Sequence, residues 1–392
     1  MRACPTTMQA ADNRKQTMDQ VVEINSLQEL LEHRADWNRL LEQSPRVDFF
    51  HTLDWLEVYL KHFGQKQRLR ALMVHEAGEL VGILPLIVRP DRTKVGMFRV
   101  LTYPLDDWGS FYGPIGPRPM ETLRAGLSYI RASRRDWDYL ELRWVDSTPE
   151  EQGGVAEELD AVNLAGIPRP HVSIPLIDIA DGWDAYWASR SGSWRSNCRR
   201  NAKKLDKLGY VEKTRFRTDV DCGGDYRWDL FDACVELSRH SWQGSSTTGT
   251  TMCHESIEPF LRDVHIAACR VGCIDVSLLT VDGNPAAFNY NYVYRGRVSG
   301  LRLGFHRDFR SVGAGTVLMQ WLIQDSCERG DHLIDLLPGS LEAKKRIVTN
   351  VETTYRYCHI PFGIGRSQLL RVKRWLDSRR TAANEFTVAL QG

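Results

Sequence analysis

The chain has 392 residues, long enough for two domains with full cores. Hydrophobic residues make up 42% and the formal net charge is +1, which excludes a disordered chain and a bulk electrostatic pull on nucleic acid. Its nine cysteines are odd in number and scattered, without zinc spacing, so reduced thiols, a cytoplasmic location and no metal are expected.

Residues 1–20 are polar and lack both periodicity and an apolar signal core, so a loose tail is expected there. Leu69 to Val74 reads as a strand, Glu76-Ala-Gly78 as a turn, and Leu80 to Arg89 as the returning strand. The run from Leu80 to Val88 is the longest apolar stretch, far too short to span a bilayer. Arg99 to Tyr103 is a third strand, a helix follows from about Glu121 to Ala132, and Asp138 to Val145 is a fourth strand. This β-β-β-α-β order implies a mixed sheet with a parallel pair across the helix.

Between Ser191 and Gly209 lies a strongly basic helix, with Ser193 as a plausible cap and Gly209 as its stop. Trp194, Cys198, Ala202 and Leu205 fall on one face. The cationic face is read either as solvated surface or as an anion-facing wall. The β-β-β-α-β plan then repeats. Ile274 to Val281 and Pro285 to Tyr294 form a hairpin about Asp282-Gly283, and Arg297 to Phe305 is the third strand after Arg295-Gly296. A helix is predicted from Thr316 to Arg329, and a buried strand from His332 to Leu337.

Strand and helix in this second repeat are joined by Arg310-Ser-Val-Gly-Ala-Gly315. A loop entering a helix N-terminus offers free N–H groups and the positive end of the dipole to phosphate. Gly313 and Gly315 remove side chains where an anion approaches. The first repeat has Tyr112-Gly-Pro-Ile-Gly-Pro117 in its place, where two prolines remove donors. Only the second repeat is therefore expected to hold a nucleotide-like cofactor.

The R-x-x-G-x-G loop, the basic helix from Trp194 to Lys204, and Asp335-Leu-Leu-Pro-Gly339 with Lys344 resemble the CelD-like branch of the GNAT superfamily, related to the Fem-type peptidoglycan aminoacyltransferases. The resemblance covers roughly residues 45–360. It implies an α/β fold with α+β mixed sheets in two tandem GNAT-like repeats, over 21–180 and 181–365, the second carrying the cofactor loop. It implies acyl transfer from acetyl-CoA or another acyl-CoA or, in the Fem branch, from an aminoacyl-tRNA. Arg310, Val312, Gly313, Ala314 and Gly315 would take the pyrophosphate, with pantetheine along Leu301 and Leu303. Members often carry Tyr before the lysine; here Ala343 precedes Lys344.

Acyl transfer needs a base, a donor for the carbonyl oxygen and a proton for the leaving thiolate. Asp335, Glu342 and Lys344 are the candidates for base, acceptor contact and ion partner; a turn cap is the other reading of Asp335. Asp106, Asp107 and Trp108 suit recognition of an ammonium group or amino sugar, or form an ordinary solvated turn. Arg239-His240-Ser241-Trp242 lacks an acid partner, so a triad is rejected. The expected acceptor is an amine or hydroxyl of a cell-surface sugar or peptide precursor. The alternatives are aminoacyl transfer from charged tRNA and a non-catalytic binding protein on the same scaffold. Segment 366–392 reads as a basic helix and tail, with Leu369, Val372, Trp375 and Leu376 as an apolar stripe for docking or for peripheral contact with an acidic membrane.

Overall fold

A computed structural model describes residues 20–146, 149–218, 222–247, 249–363, 365 and 367–373. The first half opens with β1 (Gln20–Ile24) and helices α1 (Leu27–Glu32), α2 (Arg34–Gln43) and α3 (Leu53–Phe63). The hairpin β2 (Arg68–Glu76) and β3 (Glu79–Thr93) leads to β4 (Gly96–Thr102), α4 (Pro119–Ala132) and β5 (Tyr139–Val145). A middle section holds α5 (Pro149–Ala161), β6 (Ile167–Asp178), α6 (Gly182–Ser189), α7 (Gly192–Asp206), β7 (Val211–Arg217), α8 (Trp228–Arg239) and α9 (Glu258–Arg270). Then follow β8 (Ile274–Val281), β9 (Asn284–Tyr294), β10 (Arg297–Phe305), α10 (Ala314–Glu328), β11 (Leu333–Asp335), α11 (Leu341–Lys344) and β12 (Asn350–His359).

The expected β-β-β-α-β order is thus present in both halves. Its hairpins turn on paired left-handed residues, Ala77-Gly78, Asp282-Gly283 and Arg295-Gly296, all at positive φ. Two such residues match the right-handed twist of the flanking strands. β11 is shorter than the predicted run because Leu336 donates its N–H to Pro175 and Leu337 turns left-handed at φ 54. Ser191, not Ser193, caps α7 by accepting from the Trp194 N–H. Residues 1–19 of the expected tail lie outside the described residues, and Gln20 already belongs to β1. Residues 367–373 of the C-terminal segment are helical, while Trp375 and Leu376 lie outside the described residues.

Among the described residues the strands form one sheet, ordered β1-β2-β3-β4-β5-β12-β6-β11-β10-β9-β8-β7. The last strand fills the seam: β12 pairs antiparallel with both β5 and β6, and β6 pairs with β11. Helices close the seam from one side. Trp55 of α3 packs edge-on against Phe260 of α9 at 5.6 Å, and Phe49 meets Tyr292 of β9 at 4.6 Å. These rings belong to one core that runs through both halves. No helix among the described residues is long and apolar enough to cross a membrane.

Candidate functional site

The site starts where two parallel strands part. β10 and β11 pair only from Arg297↔Leu333 to Ser299↔Asp335, and the β9–β10 register slips between Ser299 and Arg302. A bulge bends its strand and ends local pairing, which opens a split beside β10. The His306 N–H bonds Ala286 across the hairpin at 2.9 Å. Antiparallel alternation then aims the main chain of Arg302 and Gly304 at β9, and that of Leu303 and Phe305 into the split. On the split side, Leu303 O accepts from Gln243 Nε2 at 3.1 Å, which ties the α8–α9 connection to β10. Leu301 is buried at the mouth, and Leu303 is half-buried facing α10.

The glycine loop lies at the far end of β10. Gly313 is the N-cap of α10 at φ 71, and no side chain caps the helix. Among the described residues the N–H groups of Ser311, Val312, Ala314 and Gly315 have no acceptor. Arg310 is exposed and in no ion pair there. Packing adds a reason for glycine that the sequence does not display. A Cβ on Gly313 would lie 2.2 Å from the Asn201 amide of α7, and one on Gly315 would lie 3.0 Å from Phe305. The basic helix therefore sits directly on the loop, with Lys204 Nζ 3.4 Å from Ser311 O. Arg199, Arg200, Lys203 and Lys204 stay exposed beside it.

In the first half three of the corresponding donors are bonded. Tyr112 N–H bonds Trp144 O, Ile115 N–H bonds Ile83 O at 2.8 Å, and Gly116 N–H bonds Ser44 Oγ at 2.7 Å. Pro114 and Pro117 carry no N–H.

The three proposed catalytic residues fall in different environments. Asp335 is fully buried at the point of the split. One oxygen accepts from Arg297 Nη2 at 2.6 Å and from Ser110 Oγ; the other accepts from the Leu337 N–H at 2.8 Å. Lys344 donates to Leu336 O at 2.8 Å and Leu337 O at 3.0 Å, the two carbonyls that follow Asp335. Burial pushes its ammonium down to about 8, and the Asp335 charge pulls weakly the other way. Glu342 is exposed on α11 and pairs with Lys345.

The acidic loop of the first half also divides. Asp106 accepts from Tyr59 OH at 2.7 Å and faces Arg89 at 3.4 Å and Arg143 at 3.8 Å. Asp107 is exposed. Trp108 is buried between Phe260, 4.8 Å away, and Trp55, 6.4 Å away, rather than standing as an open wall. Arg302 of β10 lies over its ring at 5.6 Å and bonds Thr250 O through Nε and Nη2. Sequence reasoning missed Arg297, Arg302 and Ser110, which join the two halves at the split, and Asn201, which packs against the glycine loop. Arg297 and Arg302 stand in an alternating strand, where a cation aimed at the interior is the one signal they give. No group of three or more metal-ligating side chains is found among the described residues.

Residues 192–345, from α7 to just past α11, match the acetyltransferase (GNAT) domain family model. Among solved structures, FemX is similar with a TM-score of 0.61 at 12% identity, over 90% of this chain and 99% of that one. The C-terminal domain of a putative lysylphosphatidylglycerol synthetase from Agrobacterium fabrum aligns over 88% of this chain and 96% of its own, at 14% identity and a TM-score of 0.53. A conserved protein of unknown function from Bacteroides thetaiotaomicron aligns over 87% and 100%, at 13% identity and a TM-score of 0.53. Likeness at these identities is a likeness of fold. No curated protein matches the chain.

Proposed function

We propose that the chain is an acyltransferase of the GNAT superfamily, as the match of residues 192–345 to the acetyltransferase (GNAT) domain supports, and that its second half takes an acyl group from acyl-CoA. The acceptor is an amine or hydroxyl of a cell-surface sugar or peptide precursor. The observation that carries the donor assignment is the loop before α10. Four unused N–H groups, a left-handed Gly313 and an unpaired Arg310 meet at one helix N-terminus. That donor set fits a pyrophosphate. In the first half the N–H groups of Tyr112, Ile115 and Gly116 are bonded and Pro114 and Pro117 have none, which supports one CoA per chain.

Bound acyl-CoA supplies the activated thioester. The Leu303 amide, aimed into the split, is placed to polarise a carbonyl oxygen there. Lys344, its charge weakened by burial, is the group that exchanges a proton at the split. Asp335 acts through Leu337 and Arg297 and is a positioning residue; its carboxylate is already bonded on both oxygens. Exposed Asp107 offers the acceptor an accessible carboxylate, in a cleft between the halves.

Calorimetric titration with CoA tests the donor. One site per chain is expected, and Arg310→Ala should weaken it about ten- to a hundredfold, the worth of a charge-assisted hydrogen bond. Gly313→Pro should abolish binding, because it forbids the positive φ that shapes the loop and sets a Cβ against Asn201, which displaces the free N–H groups on either side. Equal affinity for CoA and dephosphorylated pantetheine would sink the phosphate site. The exposed cationic face of α7 favours one second reading, aminoacyl transfer from charged tRNA. Product formation from charged tRNA, with no CoA binding, would establish that reading instead.

A further inference from the structure

One cation at the join of the two halves has no counter-charge. Arg302 follows the bulge in β10, next to the Leu303 amide, and reaches over the Trp108 ring of the first half at 5.6 Å. Carbonyls hold its guanidinium: Nε and Nη2 donate to Thr250 O at 2.9 and 2.7 Å, and Nη1 donates to Leu301 O at 2.6 Å. These partners are all neutral. Among the described residues Arg302 forms no ion pair. Burial pushes its guanidinium down to about 10, and the Tyr292 phenol pulls the other way.

The other interior arginines show how this fold treats a guanidinium. Arg70 meets Glu23 at 2.7 Å, Arg215 meets Asp275 at 2.6 Å, Arg217 meets Asp331 at 2.7 Å, and Arg297 meets Asp335 at 2.6 Å. A cation drawn out of water is far costlier alone than paired. Carbonyls and water satisfy its hydrogens, but they bring no negative charge. Arg302 departs from the pattern at a place that an anion can reach. Gly300, Arg302 and Leu303 are each partly exposed, whereas Val298 and Ser299 just before them are buried. Chemistry narrows the anion. The carbonyl bonds fix the guanidinium plane, and a fixed planar fork matches a carboxylate. One cation balances one negative charge, whereas a phosphate monoester carries close to two. The exposed Asp107, beside Trp108 in the chain, disfavours the second. We infer that Arg302 binds a carboxylate on the acceptor, which makes the acceptor an amino acid or peptide rather than an uncharged sugar. The acceptor role rests on the acyl transfer proposed above; the carboxylate site itself does not.

N-acetylalanine and its C-terminal amide are the probes, in saturation-transfer NMR titrations of the full chain without CoA. They differ only in the carboxylate, and neither has a free amine. N-acetylalanine should bind at least about tenfold tighter than the amide, the usual effect of a charge-assisted hydrogen bond. Arg302→Gln should erase that preference, and Arg302→Lys, which keeps the charge without the fork, should retain part of it. Acetate replacing chloride at fixed ionic strength should raise the Tm of the parent saturably and leave that of Arg302→Gln alone. CoA should bind Arg302→Gln as it binds the parent, because the glycine loop lies at the far end of β10. Failure of the carboxylate site and failure of the donor assignment are therefore read from separate titrations. The inference is overturned if acid and amide bind the parent alike, if inorganic phosphate binds as tightly as N-acetylalanine, or if Arg302→Gln keeps the preference. The first two outcomes need only the parent chain, so they decide the matter even if the variant fails to fold.

Discussion

At the scale of single residues, Lys344 and Asp335 illustrate how the same split imposes opposite demands on two charges. A lysine whose folded value falls to about 8 is largely protonated at neutral pH and largely neutral a unit or two higher. If it hands a proton to the leaving thiolate, kcat should be flat below pH 8 and fall as pH rises through about 8. Lys344→Met should remove that limb and slow turnover roughly a hundredfold. A rate that climbs through the same pH would make Lys344 the base instead. Asp335 sits in a buried pair with Arg297, so its loss leaves an uncompensated cation. Asp335→Asn should cost about 3–5 kcal/mol in urea denaturation, the usual cost of breaking a buried pair. An unchanged stability with a depressed kcat would return Asp335 to the role of base. Arg310, Gly313 and Gly315 are legible in the sequence because their spacing announces a helix entry. Arg297, Ser110 and Asn201 are not, because their meaning depends on partners 38, 225 and more than a hundred positions away.

At the scale of elements, hairpins were the most readable features, since alternation and X-Gly turns are local signals. Caps were less so. Ser191 and Ser193 both have the right chemistry, and the geometry selects Ser191. Ser191→Ala should therefore cost about 1 kcal/mol of stability and Ser193→Ala much less, by thermal denaturation; the reverse order would contradict the assigned cap. Strand β7 depends on a cluster that is invisible in the chain order. Arg215, 1% exposed at its side chain, pairs with Asp275 at 2.6 Å and Asp325 at 2.8 Å, fastening β7 to β8 and α10. Strands β6 and β12 escaped sequence reading because prolines at 168, 170 and 175 blur the β6 pattern, while β12 mixes polar and aromatic residues without a clean period.

At the scale of the whole molecule, the doubling of the β-β-β-α-β plan was readable, whereas the joining of its copies was not. Two sheets would have given two melting units. One continuous sheet, with a core cluster that runs through both halves, gives them a shared fate. Scanning calorimetry should show a single transition whose calorimetric and van't Hoff enthalpies agree; two resolved transitions would show that the seam does not couple them. The position of β12 has a consequence in time as well as in space. Strands β5 and β6 leave the ribosome far ahead of the strand that belongs between them. Until residue 359 has been made, each presents an unpaired edge, open to pairing with a neighbouring chain. Nascent chains stalled before Asn350 should therefore be the aggregation-prone and protease-sensitive form, and completion of this one strand the event that turns synthesis into a finished fold.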